Sequence, residues 1–315
     1  MGGSKNKSED ARIAFLFVLI PTLMLIINYF LFPYPETDVT VFFLLFPMFI
    51  APILLGIGFF IKKQGISNNL KILGWMVFAF YWSTQPAKLY ISEGGDVFNS
   101  GVCIIGVFVL SYIAYHEWLS IKRKEEISCL NWIAGAAFLA GIIYFGIERT
   151  PIELWLREVV AQHSGWFLEV VTGEIVHVGG ENNLYITYKS GIVYLIFACT
   201  AVQAMVIFVG MILPLPKVGI KRKIVGLVIT LIPVYILNFM RNAMVSFLIG
   251  NEIVDFNVAH NGIAKIGALI TLIILLLLLI KLIPEILDEI FCLADLRKRD
   301  GPLEKTVLRF IRRKT

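Results

Sequence analysis

The sequence predicts an all-α polytopic membrane protein of about eight transmembrane helices, with one extracellular loop that holds an interfacial helix and a β-hairpin. Three observations predict it. Hydrophobic residues make up 58% of the 315-residue chain and charged residues only 16%, against roughly 25% charged in soluble domains. The apolar residues fall into long runs, giving a mean hydropathy of +0.79, and about 20 such residues cross a hydrocarbon core of ~30 Å. The Lys and Arg residues gather at alternate ends of the runs, as they do when positive loops stay inside.

The runs lie near residues 11–32, 39–61, 70–90, 97–115, 130–147, 191–213, 223–249 and 261–283. The first has no small-residue cleavage site after it and reads as a retained span. Lys62, Lys63 and Lys71 flank the connection after the second run, and Lys122, Arg123 and Lys124 follow the fourth. Lys217, Lys221, Arg222 and Lys223 follow the sixth, and Arg297, Lys298, Arg299 and residues 309–314 follow the eighth. The intervening connections, 33–38, 91–96 and 250–260, are poor in positive charge. Both termini are therefore expected in the cytoplasm. The third run is interrupted by Ser83, Thr84, Gln85 and Lys88 and is expected to tilt or to line a polar cavity. The net charge of +5 is accounted for by these span ends, so no nucleic-acid partner is implied.

Four segments follow: an N-terminal helical bundle of about five spans (1–147), an extracellular cap (148–190), a three-helix segment (191–283) and a basic amphipathic tail (284–315). In the cap, Leu154, Trp155, Val159, Phe167 and Leu168 lie among charges and predict a helix at the membrane surface. Two β-rich stretches around Gly179, Gly180 and Asn183 predict the hairpin. The cap reads equally as a plain cover or as a part of substrate binding. The tail is expected on the inner leaflet. Cys103, Cys129, Cys199 and Cys292 form no CxxC pair, and no disulfide framework is implied.

Three polar residues fall on consecutive spans at similar depth. Cys199 lies about nine residues below the outer end of the sixth run, ~13 Å at 1.5 Å per residue. Arg241 lies about as far from Gly250 in the seventh, and His260 opens the eighth. A mid-span arginine costs about 2.5–3.5 kcal/mol on insertion scales and needs a cavity or a partner. A guanidinium beside Cys199 would favour its thiolate, while burial would oppose it. His260 has the chemistry of a general acid or base. Thr200 and Gln203 add polar groups, with Gln203 expected on the Cys199 face at i+4. Asn238, at i−3 from Arg241, is expected on the arginine's face; Asn242 is not. The blander readings are a structural arginine, an inert cysteine and a loop histidine. His163, His177 and His260 have no metal-site spacing and there is no HExxH, so no metal and no cofactor are expected.

The stretch from Ser190 through Ala198, Cys199, Thr200 and Ala201 to Gly210 resembles the archaeosortase/exosortase family, as does Asn238-Phe-Met-Arg241 followed by His260. The order Cys, Asn-x-x-Arg, His on successive spans is that family's pattern, and the archaeal branch is the nearer. Where many archaeal members have Gly after Cys-Thr, this chain has Ala201, and where many have Ser it has Gln203. The resemblance implies a membrane cysteine transpeptidase. Its partners would be exported surface proteins with a C-terminal tail of motif, single span and basic cluster, and a membrane lipid would accept the new C-terminus. Cys199 would be the nucleophile, Arg241 the thiolate or oxyanion stabiliser and His260 the acid and base. The residues alone leave two rivals open: a transporter binding an anionic solute at Arg241, and an assembly protein docking through its outer loop.

Overall fold

A computed structural model describes residues 2–92, 97–148, 150–181 and 183–312. The chain is a multi-pass helical membrane protein. Among the described residues, six helices are long and apolar enough to cross a bilayer: Ser8–Leu31, Asp38–Phe60, Val97–Arg123, Ser128–Glu148, Ile220–Gly250 and Asn257–Leu282. They divide between two compact units, 1–138 with 288–315 and 139–287.

The first unit holds α1 (Gly2–Leu31), α2 (Asp38–Phe60), α3 (Gln64–Ser83), α4 (Gln85–Ser92), α5 (Val97–Arg123) and the first half of α6 (Ser128–Glu148). Glycines let its helices approach closely. A Cβ at Gly74 would meet Leu55 at 2.9 Å, and one at Gly56 would clash with the Phe138 ring. Small residues do this work between membrane helices because lipid tails give no hydrophobic drive to associate. Leu55, Trp75, Val107, Leu110 and Leu130 form the core. Inside it, Lys71 pairs with Glu117 at 3.1 Å, both nearly fully buried.

The expected third span is two helices. The break falls at Thr84, whose hydroxyl turns back to Tyr81 O at 2.7 Å. Pro86 follows two residues later, and the residue before a proline is disfavoured in helical geometry. Two further expectations are corrected. Cys129, at the start of α6, is disulfide-bonded to Cys292. The tail is not only a surface segment: α11 (Glu285–Asp295), a 3-10 turn (Leu296–Arg299) and α12 (Pro302–Arg312) bring Leu296 and Leu303 into buried clusters with α3, α5 and α6 residues and with α1 and α5 residues, respectively. Tyr112 and Tyr115 donate to the Glu304 carboxylate at 2.9 and 3.0 Å. Arg299 donates to His116 O at 3.1 Å and to Glu125 Oε2 at 2.8 Å.

The second unit begins within α6 and continues with α7 (Pro151–Thr172), β1 (His177–Gly179), β2 (Tyr185–Tyr188) and β3 (Gly191–Tyr194). Thr150 precedes a proline at the first turn of α7, and Gly173 at φ 71° ends it, the start and stop signals a helix requires. The three strands form one antiparallel sheet in the order β1-β2-β3, with Ile186 opposite Val178 and Val193. The third strand was expected as the top of a span. The expected sixth span, 191–213, is therefore not one helix. It runs as β3, a 3-10 turn (Phe197–Thr200) and a short α8 (Val202–Ile212). α9 (Ile220–Gly250), a π-helix (Asn257–Ala264) and α10 (Lys265–Leu282) complete the unit.

Candidate active site

Cys199 sits in the 3-10 turn, not on a helix face. The turn is built locally. Cys199 N donates to Ile196 O at 2.8 Å, and the Thr200 hydroxyl donates to Phe197 O at 2.7 Å. Ala201 then takes φ 60°, ψ 8° and starts α8 in a new direction. That left-handed geometry is costly for any residue with a Cβ, and such strain gathers at functional sites. A glycine there would relieve it.

The turn is anchored to α9. Asn238 Nδ2 and Asn242 Nδ2 both donate to the Cys199 carbonyl oxygen, at 2.7 and 3.0 Å. Both asparagines are buried. Four residues apart, they share one helical face. Asn242 was not expected in this role, because it was judged against Arg241 rather than against Asn238. The i, i+4 spacing of the two asparagines was the available signal. Gln203 is misplaced in the other direction. The turn at Ala201 breaks the helical register that would have put it under Cys199, and its side chain is exposed.

Lys223 donates to Leu213 O and Leu215 O at 2.6 and 2.9 Å, which ties the far end of α8 to the start of α9. Val160 and Ala161 of α7, Ile186 of β2 and Leu195 pack around the buried Cys199 and keep water sparse there.

Arg241 is the common neighbour. Its charge acts on both Cys199 and His260. Its Nε is buried and donates to no acceptor among the described residues. A buried guanidinium N–H left open is a donor in search of an anion. His260 lies in the π-helix, a distortion frequent at functional sites, and its ring stacks on Phe256 at 5.1 Å with 9° between planes. Among the described residues no hydrogen bond joins His260 to Cys199; the arginine lies in the electrostatic range of each. His163 is occupied elsewhere, with Nδ1 bonded to the Tyr235 hydroxyl. Among the described residues, His163, His177 and His260 do not converge on a common point; the one group of metal-ligand type is Cys129, Glu289 and Cys292, whose sulfurs are bonded to each other.

Residues 126–280 match the family model for transmembrane exosortase. Over this segment, just under half of its length, the chain is similar to the exosortase/archaeosortase family. The exosortase match takes in α6, the sheet, the 3-10 turn, α9 and the π-helix, and so all three of Cys199, Arg241 and His260. Exosortases are cysteine transpeptidases acting on exported proteins with C-terminal signals. No curated protein and no solved structure matches this chain.

Proposed function

We propose that this chain is a membrane-embedded cysteine transpeptidase that cleaves the C-terminal three-part tail of exported proteins and passes the new C-terminus to a membrane lipid. The observation that carries the reading is the Cys199 turn. A thiol on a strained corner, with its carbonyl clamped by two asparagines, lies within electrostatic reach of a half-buried arginine whose buried Nε–H is open.

The Cys199 thiolate attacks the scissile carbonyl, forming a C–S bond and a tetrahedral oxyanion. Arg241 donates to the thiolate before attack and to the oxyanion after it; such donors are worth 10²–10³ in rate. His260 gives its proton to the leaving amine as the C–N bond breaks, which leaves a thioester. An amine on a lipid head group then attacks the thioester, His260 takes the amine's proton, and Cys199 leaves as thiolate. Asn238 and Asn242 are positioning residues, since they hold the backbone of the nucleophile. Sparse water around the buried sulfur favours transfer over hydrolysis.

The positive-inside pattern supports cytoplasmic termini and a site near the extracellular face. Crossing parity is kept at eight when α3 with α4, and the 3-10 turn with α8, are counted as crossings. A substrate tail would then span beside the enzyme with its basic cluster inside and its motif level with Cys199.

The test is a processing assay in membranes, with a panel of secreted reporters whose tails differ in the motif. Wild-type protein is expected to shorten one reporter and add a lipid to it, and Cys199→Ala to do neither. Full processing by Cys199→Ala would overturn the mechanism. A transporter that binds an anion at Arg241 would tolerate Cys199→Ser, whereas a thiol enzyme would not.

A further inference from the structure

We infer that the free edge of β3 is a docking strand for an extended segment of the substrate polypeptide beside the scissile bond. The inference deepens the reading of Cys199 as nucleophile and rests on it.

β3 is an edge strand, paired only with β2 within the sheet. Leu195 N donates to Leu184 O at 2.8 Å, and Val193 and Gly191 lie opposite Ile186 and Tyr188. In an antiparallel ladder, alternate residues turn both backbone groups toward the partner, and those between turn both away. Leu195, Val193 and Gly191 form the inward set. Tyr194 and Ile192 therefore point their N–H and C=O groups to the open side, and no other described residue bonds to them there.

Proteins blunt such edges with Lys, Pro, bulges or covering loops. The stretch from Gly191 to Ile196 contains no charge and no proline. Its outward side chains are open, with Ile192, Tyr194 and Ile196 at 52%, 60% and 57% exposure. The opposite edge, β1, spans three residues and stops at Gly180, φ 93°.

An extended peptide is the occupant that fits. Strand addition supplies backbone hydrogen bonds for affinity and contacts at alternate side chains for selectivity. β3 runs directly into the Cys199 turn, since Ile196 O is the acceptor for Cys199 N. A peptide paired with Tyr194 and Ile192 is thereby held in fixed register to the sulfur. Its side chains on the open face would meet the Tyr185–Tyr194 ring pair, whose centroids are 6.0 Å apart. Two outward residues are too short an edge for stable pairing between two copies of the chain.

The experiment has a catalytic and a binding arm. In the processing assay, Tyr194→Val keeps the backbone N–H, loses only the ring contacts and is expected to process faster than Tyr194→Pro. Tyr194→Pro removes the outward N–H and the ring without removing a donor to β2, and is expected to process at least tenfold more slowly than wild type with unchanged thermal stability. Ile192→Lys, an exposed change that guards the edge, is expected to do the same and stands in if the proline variant fails to fold. In the binding arm, a photo-cross-linking benzoylphenylalanine replaces Tyr194 in the Cys199→Ala background and is expected to capture the tailed reporters. Wild-type rates in the folded edge variants, or capture of a second copy of the chain in place of the reporter, would overturn the inference. Because the binding arm lacks the nucleophile, reporter capture with intact processing by Cys199→Ala would reject the chemistry while keeping the docking strand.

Discussion

Asn238 holds Cys199 by its own main chain: its Nδ2 donates to the Cys199 carbonyl oxygen across 2.7 Å. The side chain that would do the chemistry is thus aimed by a bond to the residue's backbone, and a second from Asn242 doubles it. Removing one donor leaves the carbonyl partnered, and removing both leaves it buried and unsatisfied. Each single alanine variant is expected to cost about 1 kcal/mol of stability, and the double variant more than the sum, in the range of 1–3 kcal/mol for an orphaned polar group. Thermal unfolding in detergent measures this. In the processing assay, the rate constant should fall while the substrate concentration for half-saturation stays near wild type, which separates positioning from binding.

Arg241→Gln should lower processing by 10²–10³-fold, the usual effect of losing an oxyanion donor. Arg241→Lys should recover only part of it, because one ammonium cannot reproduce the planar fork of N–H groups. The rate of Cys199 alkylation by iodoacetamide provides an independent readout. It should drop in both variants at fixed pH if the guanidinium favours the thiolate.

Ala201→Gly should stabilise the folded chain by about 1 kcal/mol, because the left-handed backbone at φ 60° penalises a Cβ. Ala201→Val should destabilise it by more. A rise in melting temperature for the glycine variant with unchanged processing would show that the strain is tolerated rather than used. Lower processing in the stabilised variant would show that it is used.

Glu304 sets an acid limit on the tail. Burial alone would raise its pKa. Contact with His116, its own backbone N–H and the Tyr112 hydroxyl outweigh burial and bring it from 4.5 to about 2. A carboxylate depressed in the folded state contributes stability above its unfolded pKa and loses it as the pH falls through the folded value. Wild-type protein should therefore lose stability between about pH 4.5 and pH 2 more steeply than Glu304→Gln, read as melting temperature against pH.

Alkylation without reductant, followed by peptide mass analysis, should label Cys103 and Cys199 and leave Cys129 and Cys292 joined. Cys129→Ser should lower the melting temperature, and a native cross-link is typically worth about 2–4 kcal/mol. Labelling of all four cysteines under native conditions would reject the bond.

Long apolar runs made most of the helices legible, because bilayer thickness leaves little choice of length. The exceptions share a cause. The stretch from Gly191 to Ile212 is as apolar as any span, yet it folds as strand, turn and short helix. Hydropathy does not register a local turn, and Val193 and Leu195 bury apolar side chains equally well from a strand. Cys199, Arg241 and His260 are conspicuous in the sequence because charge and thiol chemistry stand out against lipid. Gln203 escapes the sequence because its placement depends on the backbone path at Ala201, which no periodicity foretells, whereas Asn242 was legible from its i, i+4 spacing to Asn238. The Cys129–Cys292 bond joins residues 163 positions apart, beyond the reach of spacing arguments.

The first unit is interrupted in sequence by the second, and its closing piece is α12. The ribosome therefore completes the part carrying Cys199 while Tyr112, Tyr115 and His116 still wait for Glu304 and Arg299. A polypeptide stopped near residue 287 would leave the first unit with open polar groups and uncovered apolar surface, so quality control in the membrane is expected to remove it, and residues 288–315 double as a folding checkpoint for that unit.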